Sequence, residues 1–344
     1  MDRPYLNYDV LHSIMCFADR PTLSCLMQTS RELYRPAAKH ILDERVSFND
    51  GDDINALFPF LTADPVHRLP LIRRLAIRGH YGSISDHAAS LANKLVLSLV
   101  PVARLTNLAI WNAEELLGAH PYLGSALASL TSVRHLNLSD SGKLCARMLS
   151  AFQSPLVSAN LAFRCDVDER PISDIPNDPI PLLRHSAQSL RYLETKSSGS
   201  VLGVPSAYPG VTDLVISYTD MPDVTQYVQA FPHLRYLKVY ECEEDTRDSA
   251  RLMAQRRHNQ AMQRELLSWP ELERYEGSIT SLYYLALACP IAFVVLNDRE
   301  NPGLTRRCLL KFWTMLVQNT WSSRSPEPAG FWTPHSRLCS PGHP

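Results

Sequence analysis

The chain lacks paired cysteines. Its eight, Cys16, Cys25, Cys145, Cys165, Cys242, Cys289, Cys308 and Cys339, are scattered, and no two stand at CxxC spacing. A secreted scaffold clusters cysteines for disulfides and a zinc ribbon pairs them for metal, so neither class fits and the thiols read as reduced. Long apolar runs are also missing. The longest, Leu282 to Leu296, falls short of the roughly 20 residues a membrane helix needs and is interrupted by Pro290. It is expected to be buried core. The stretch MDRPYLNYDV carries acids and no apolar run, so no signal peptide is expected. Charge of one sign is lacking too. With 34 basic and 35 acidic side chains the formal net charge is -1, and no bulk field favours nucleic acid or anionic lipid. These absences suggest a cytoplasmic or nuclear protein with no membrane and no nucleic-acid partner.

Signatures of catalysis are absent as well. There is no GxxxxGK[ST], no GxGxxG and no HExxH. Gly199-Ser200-Val201-Leu202-Gly203 sets the serine one place off the G-x-S-x-G elbow, so it reads as a flexible turn. The histidines form no i, i+4 pair beside a carboxylate on a helix. The expectation is no enzyme, no cofactor and no metal, although a site assembled from distant residues remains an alternative.

What is present divides in three. Residues 1–50 have helical character. Val10, Leu11, Ile14 and Met15 recur at helical spacing, and the segment stops near Asp19-Arg20-Pro21. Asp19 can cap the next helix, with Pro21 in its first turn. Leu23, Leu26, Met27, Leu33 and Tyr34 continue the stripe. Pro36 is expected to end or kink it. A third piece runs from Ala37 to Leu42, and the turn Asn49 to Asp53 closes the region.

Residues 51–320 follow a different pattern. A triplet spaced x-L-x-x-L-x-L appears as Ile72, Leu75, Ile77, as Leu105, Leu108, Ile110, and as Val133, Leu136, Leu138. It returns weakly as Leu156, Ala159, Leu161 and Leu190, Leu193, Thr195, then strongly as Val211, Leu214, Ile216 and Leu234, Leu237, Val239. Leu272 and Tyr275 start an eighth copy. Between triplets lie helical patterns such as Asp86 to Val100 and Leu144 to Phe152. Strand then helix at this spacing predicts parallel strands stacked side by side with helices outside, because one unit cannot bury its own apolar face. An ordinary α/β domain with a parallel sheet is the alternative; the shared register of the triplets favours the stack. The stretch Thr246 to Trp269 predicts a basic helix with Arg247, Arg251, Arg256, Arg257 and Arg264. No tryptophan, tyrosine or phenylalanine lies among these arginines to stack a base, so the stretch reads as a solvated face. Residues 321–344, rich in Pro, Ser and Gly, are expected to be disordered.

The run LNYDVLHSIMCFADRPTLSCLMQTSRELY resembles the F-box motif. Leu6, Asp9, Val10, Leu11, Ile14, Met15 and Asp19 match its first half, with Asn7 where the family usually has proline. Leu23, Leu26, Met27, Ser30, Arg31 and Tyr34 match the second. With the triplets behind it, the chain is similar to the F-box proteins with irregular leucine-rich repeats found in basidiomycete fungi. The resemblance implies an α/β fold: F-box-like helices, then an irregular solenoid with a parallel sheet and outer helices. It implies a substrate-recognition adaptor of an SCF-type ubiquitin ligase. A Skp-type linker protein, connected to a cullin scaffold, would sit on Leu6, Val10, Leu11, Ile14, Met15, Leu23, Leu26 and Met27. The repeats would hold an unknown target protein. A leucine-rich scaffold with no ligase role is the competing possibility.

Residues between the buried triplet positions point to the other sheet face. Arg74, Arg78, Trp111, His135, Tyr192, Lys196, Tyr236, Lys238 and Tyr240 form the expected target-binding stripe, rich in the types that dominate interfaces. Cations beside aromatics suit an acidic or phosphorylated motif. The place where the repeat family carries an asparagine ladder holds His80, Ala113, Ser141, Thr219 and Cys242, so an uneven, twisted stack is expected.

Overall fold

In the computed structural model, which describes residues 7–79, 84–102, 104–164, 177–198, 207–218, 222–240, 249–265 and 268–297, the triplets become one parallel sheet of ten strands. The strands are β1 (Val46–Phe48), β2 (Arg74–Arg78), β3 (Asn107–Trp111), β4 (His135–Ser141) and β5 (Ser158–Phe163). β6 (Tyr192–Ser198), β7 (Asp213–Tyr218), β8 (Tyr236–Tyr240), β9 (Leu272–Gly277) and β10 (Ile291–Leu296) follow. Each pairs with its neighbours in chain order. The middle triplet residues Leu75, Leu108, Leu136, Ala159, Leu193, Leu214, Leu237 and Tyr275 are successive Cα partners across the sheet. None is more than 2% exposed.

Helices cover the back of this column. Asp86–Leu99 buries Ala88, Ala92, Leu95, Val96 and Leu99, one stripe at 3.6-residue spacing. Lys143–Ala151 and Val224–Ala230 bury theirs in the same way. Serines tie successive turns together. Ser154 Oγ donates to Leu130 O (2.6 Å) and accepts from Val133 N (3.3 Å). Ser186 Oγ repeats the pattern one turn on, donating to Ser154 O (3.0 Å) and accepting from Leu156 N (3.1 Å). Buried backbone groups at each turn need partners, and here serine hydroxyls supply them. His80, Thr219 and Cys242 lie outside the described residues. Glu114 adds a cross-link: its carboxylate accepts the Gly142, Leu144 and Cys145 N–H groups at the start of Lys143–Ala151.

The N-terminal segment forms α1 (Tyr8–Phe17), α2 (Arg20–Thr29) and α3 (Arg31–Asp43), and α4 (Gly51–Thr62) follows β1. Each start is capped by a side chain that accepts a backbone N–H: Asn7 from Asp9, Asp19 from Thr22, Ser30 from Glu32, Asp50 from Asp52 and Asp53. Asn7, where the motif's proline would be, thus starts α1. Three expectations need correction. Pro36 neither ends nor breaks α3, which runs on to Asp43; its cost is one i to i−4 hydrogen bond. The turn at Asn49 to Asp53 is the capped start of α4. The sheet begins at Val46, inside the segment set apart as helical, because β1 is three residues long and too short to show periodicity.

Met15, Leu23, Met27, Leu33, Ala37 and Ala38 close a small core between α1, α2 and α3. Phe60 of α4 packs on its edge. The Arg68 guanidinium, 3% exposed, lies 4.1 Å from the Phe60 ring centroid and 4.7 Å from that of Tyr34, and it donates to Phe60 O. A desolvated cation is tolerable there because two ring faces and a carbonyl receive it.

At the other end the expectation of a buried run from Leu282 to Leu296 holds only in part. Ile279–Leu285 is a wholly buried helix. β10, by contrast, exposes Phe293 (70%), Val294 and Leu296. The basic helix is Ser249–Glu265. It is more than a solvated face, because buried Asn259 and Gln263 bond to Pro222, Tyr284, Leu285 and Ala286 carbonyls. Arg256 is stacked 4.4 Å from the Tyr283 ring centroid. Among the described residues no helix is long and apolar enough to cross a membrane. The glycine-flanked turn at 199–203 and the tail at 321–344 lie outside the described residues.

Candidate functional site

Two surfaces stand out, one on α1 and one on the open face of the sheet. α1 carries two apolar stripes. Leu11 and Met15, with Ala18 just past its end, pack on the three-helix core. Val10 (46% exposed), Ile14 (45%) and Phe17 (92%) point outward, at i, i+4 and i+7. With Asp9 and Ser13 they line a shallow hollow of about 350 Å³. The eight residues expected to meet a linker therefore separate. Val10 and Ile14 are at the surface. Leu11 and Leu26 are half-buried against the core. Met15, Leu23 and Met27 are inside it rather than open to a linker, because a three-helix unit must fill its own centre first. Leu6 lies outside the described residues. Phe17 was missed. Its spacing from Val10 and Ile14 was the available signal.

On the sheet, the residues between the column positions form rows. One row runs Arg74, Asn107, His135, Ser158, Tyr192, Asp213, Tyr236, Arg274 as successive Cα partners. The next contains Asn137, Asn160, Glu194, Val215, Lys238 and Glu276. The expected stripe of Arg78, Trp111, Lys196 and Tyr240 is not continuous. Arg78 and Trp111 are partners on adjacent strands, with the guanidinium 4.8 Å from the ring centroid. Left-handed residues Asp140 (φ 57°) and Ser197 (φ 54°) then shift the register in β4 and β6. Lys196, three strands from Trp111, is about 14 Å away at 4.8 Å per strand.

Charge splits the face in two. Toward β6–β9 the cations are matched. Glu194 accepts from Tyr192 Oη (2.9 Å) and Asn160 Nδ2 (3.0 Å) and pairs with Lys196 (3.5 Å). Glu276 accepts from Tyr236 Oη (2.8 Å) and pairs with Lys238 (2.5 Å) and Arg274 (3.2 Å). Lys238 also lies 5.0 Å from the centroid of the Tyr240 ring, which is 44% exposed. Hydrogen bonding from Lys238, helped by Tyr236, holds the Glu276 carboxyl down at about 2. The same bond raises Lys238, and burial together with the bonded carboxylates raises Tyr192 and Tyr236.

Toward β1–β5 the arrangement is open. A hollow of about 550 Å³ is lined by Arg45, Arg74, Asn107, His135, Asn137 and Asn160 among others. Arg74 donates to Asp43 O (2.8 Å), and His135 Nδ1 meets Ser158 Oγ at 2.8 Å. Arg45 joins Arg78 over Trp111, 5.3 Å from its ring centroid. Arg45 was missed because the strand it precedes was not legible. Such a surface offers guanidinium, imidazole and amide donors to an anionic or amide-rich ligand.

The pH dependence of the Glu276 network can be checked directly. A carboxyl lowered from 4.5 to about 2 stabilises the fold above its unfolded value, and that contribution is lost as pH falls through the folded one. Glu276→Gln should therefore be less stable than the parent at neutral pH, and the gap between their urea midpoints should close between pH 4.5 and about 2. A gap that stays constant over this window would show that Glu276 carries no such charge-dependent stabilisation.

Compared with known protein families and with curated proteins, the chain matches none.

Proposed function

We propose that this α/β protein is a substrate-recognition adaptor of an SCF-type cullin ubiquitin ligase, with an F-box at α1–α3 and a leucine-rich-repeat solenoid behind it. The observation that carries this reading is the outer stripe Val10, Ile14 and Phe17. It is exposed on a helix whose other apolar stripe already fills the local core. Apolar side chains at i, i+4 and i+7 on an exposed helix suit a helix-in-groove partner, here the Skp-type linker that joins a cullin scaffold. The open sheet face would hold the target protein. Its β1–β5 end, with Arg45 and Arg78 over Trp111 and with Arg74 and His135 lining the hollow, suits an acidic or phosphorylated motif better than the β6–β9 end, where Lys196 and Lys238 are already paired. The chain's contribution would be proximity: holding target lysines near the charged ubiquitin enzyme raises their effective concentration. Such complexes work in the cytoplasm or nucleus.

Co-purification of the full chain with a Skp-type linker and a cullin tests this. Recovery of both supports the adaptor role. A chain that captures a target on its sheet face but no linker is a leucine-rich interaction scaffold instead.

A further inference from the structure

We propose that His12, Cys16 and His40 form a binding site for a borderline-soft divalent metal ion of the zinc class, at the seam between α1 and α3. His12 and Cys16 are one turn apart on α1, so they share a face. That face is distinct from the inward stripe of Leu11 and Met15 and from the outward stripe of Val10 and Ile14. His40, in the last turn of α3, meets it from the opposite helix. The potential ligand atoms of the three side chains all lie within 4.8 Å of one another. Cys16 Sγ stands 4.0 Å from His40 Nε2, and the two imidazoles meet edge to face with centroids 5.8 Å apart.

The geometry is near what a tetrahedral ion requires. Bonds of about 2.0–2.1 Å to nitrogen and 2.3 Å to sulfur place neighbouring ligand atoms about 3.3–3.7 Å apart. Closing from 4.8 Å needs rotamer adjustments of about 1 Å, available to His12 and Cys16 because both are exposed and to half-buried His40. Among the described residues, neither imidazole has an ion pair, and the thiol is the one hydrogen-bonding partner of His40. One thiolate with two imidazoles selects zinc-like ions over magnesium or calcium, which prefer oxygen. Three protein ligands leave the fourth position to water or an outside donor. Binding replaces the thiol proton: the Cys16 S–H bond breaks, an S–metal bond forms and one proton is released, with no change of oxidation state. The bound ion would cross-link α1 to α3, fixing the helix that carries the Val10 and Ile14 stripe.

Titration of the metal-free full chain with Co²⁺ tests this, because thiolate and tetrahedral ligation each give their own absorption. The expected result is one Co²⁺ per chain, with a thiolate-to-cobalt charge-transfer band and tetrahedral visible bands, both removed by Zn²⁺. Cys16→Ser should abolish the charge-transfer band. His40→Asn and His12→Asn should each weaken binding by at least about tenfold, as loss of even an outer partner does. Cys25→Ser, which alters an exposed thiol on α2, should change nothing. All four variants alter side chains outside the core, and circular dichroism checks that the helices persist. Absence of the bands, their survival in Cys16→Ser, or affinity unchanged in both histidine variants would overturn the proposal.

Discussion

Leu136→Ala is expected to lower the free energy of unfolding by about 2–5 kcal/mol. Leu136 is 2% exposed, and its Cα partners on the flanking strands are Leu108 and Ala159. The lost methyl and methylene groups account for part of the cost and the unfilled space for the rest. The space cannot close, because β3, β4 and β5 are held at fixed spacing by hydrogen bonds on both sides of the site. On the β5 side the neighbour is Ala159, whose side chain is too small to reach into the gap. The loss is read as a fall in the urea midpoint at unchanged slope. Asn137→Ala, one residue along on the open face, is the control and should change the free energy of unfolding by less than about 0.5 kcal/mol. A Leu136 effect no larger than that of Asn137 would mean that the column does not hold the sheet together.

The sheet was legible because its signal is redundant. Leu75, Leu108, Leu136, Leu214 and Leu237 each sit in the same short spacing, and repetition fixes the register even where Ala159 and Thr195 are poor matches. β1 escaped because three residues carry no period, and with it Arg45 escaped as part of the sheet-face hollow. The pairing on the open face was hidden for a different reason. Glu194 lies next to Asn160 and Glu276 next to Lys238 only after units of unequal length have been aligned, and the bulges at Asp140 and Ser197 depend on backbone angles that residue type alone does not dictate. Helical spacing on α1 showed that the helix was apolar, but a helix with apolar residues on two stripes does not reveal which one meets the core. His12 and Cys16 were one turn apart in plain view. Their partner His40 is 24 residues away from Cys16, so it took the packing of α3 on α1 to join them.

Val10→Asp combined with Ile14→Asp is expected to weaken linker binding by about 100-fold or more while leaving the sheet intact. Full burial of a side chain of this size contributes about 1.5–3 kcal/mol, and nearly half of each is still exposed, so an interface that covers the pair gains about 1.5–3 kcal/mol from them. Since 1.4 kcal/mol is a tenfold change, that is about tenfold to a hundredfold in affinity. Two carboxylates forced into an apolar groove raise the cost further. Leu11 is unsuitable for this test although it neighbours both positions. It packs against the three-helix core, so Leu11→Asp would destabilise the helices and lose binding for the wrong reason. Val10 and Ile14 are nearly half exposed and lie outside the core, so their replacement should cost the fold far less than a change at Leu11. Phe17→Ala, at the end of the same stripe, should give a smaller loss in the same direction, because it removes contact without adding charge. Undiminished capture of the linker by the double variant, with the fold verified, would rule out the outer stripe of α1 as the docking face. Capture lost in the double variant and restored by Val10→Leu with Ile14→Leu would tie the interaction to apolar contact at these two positions.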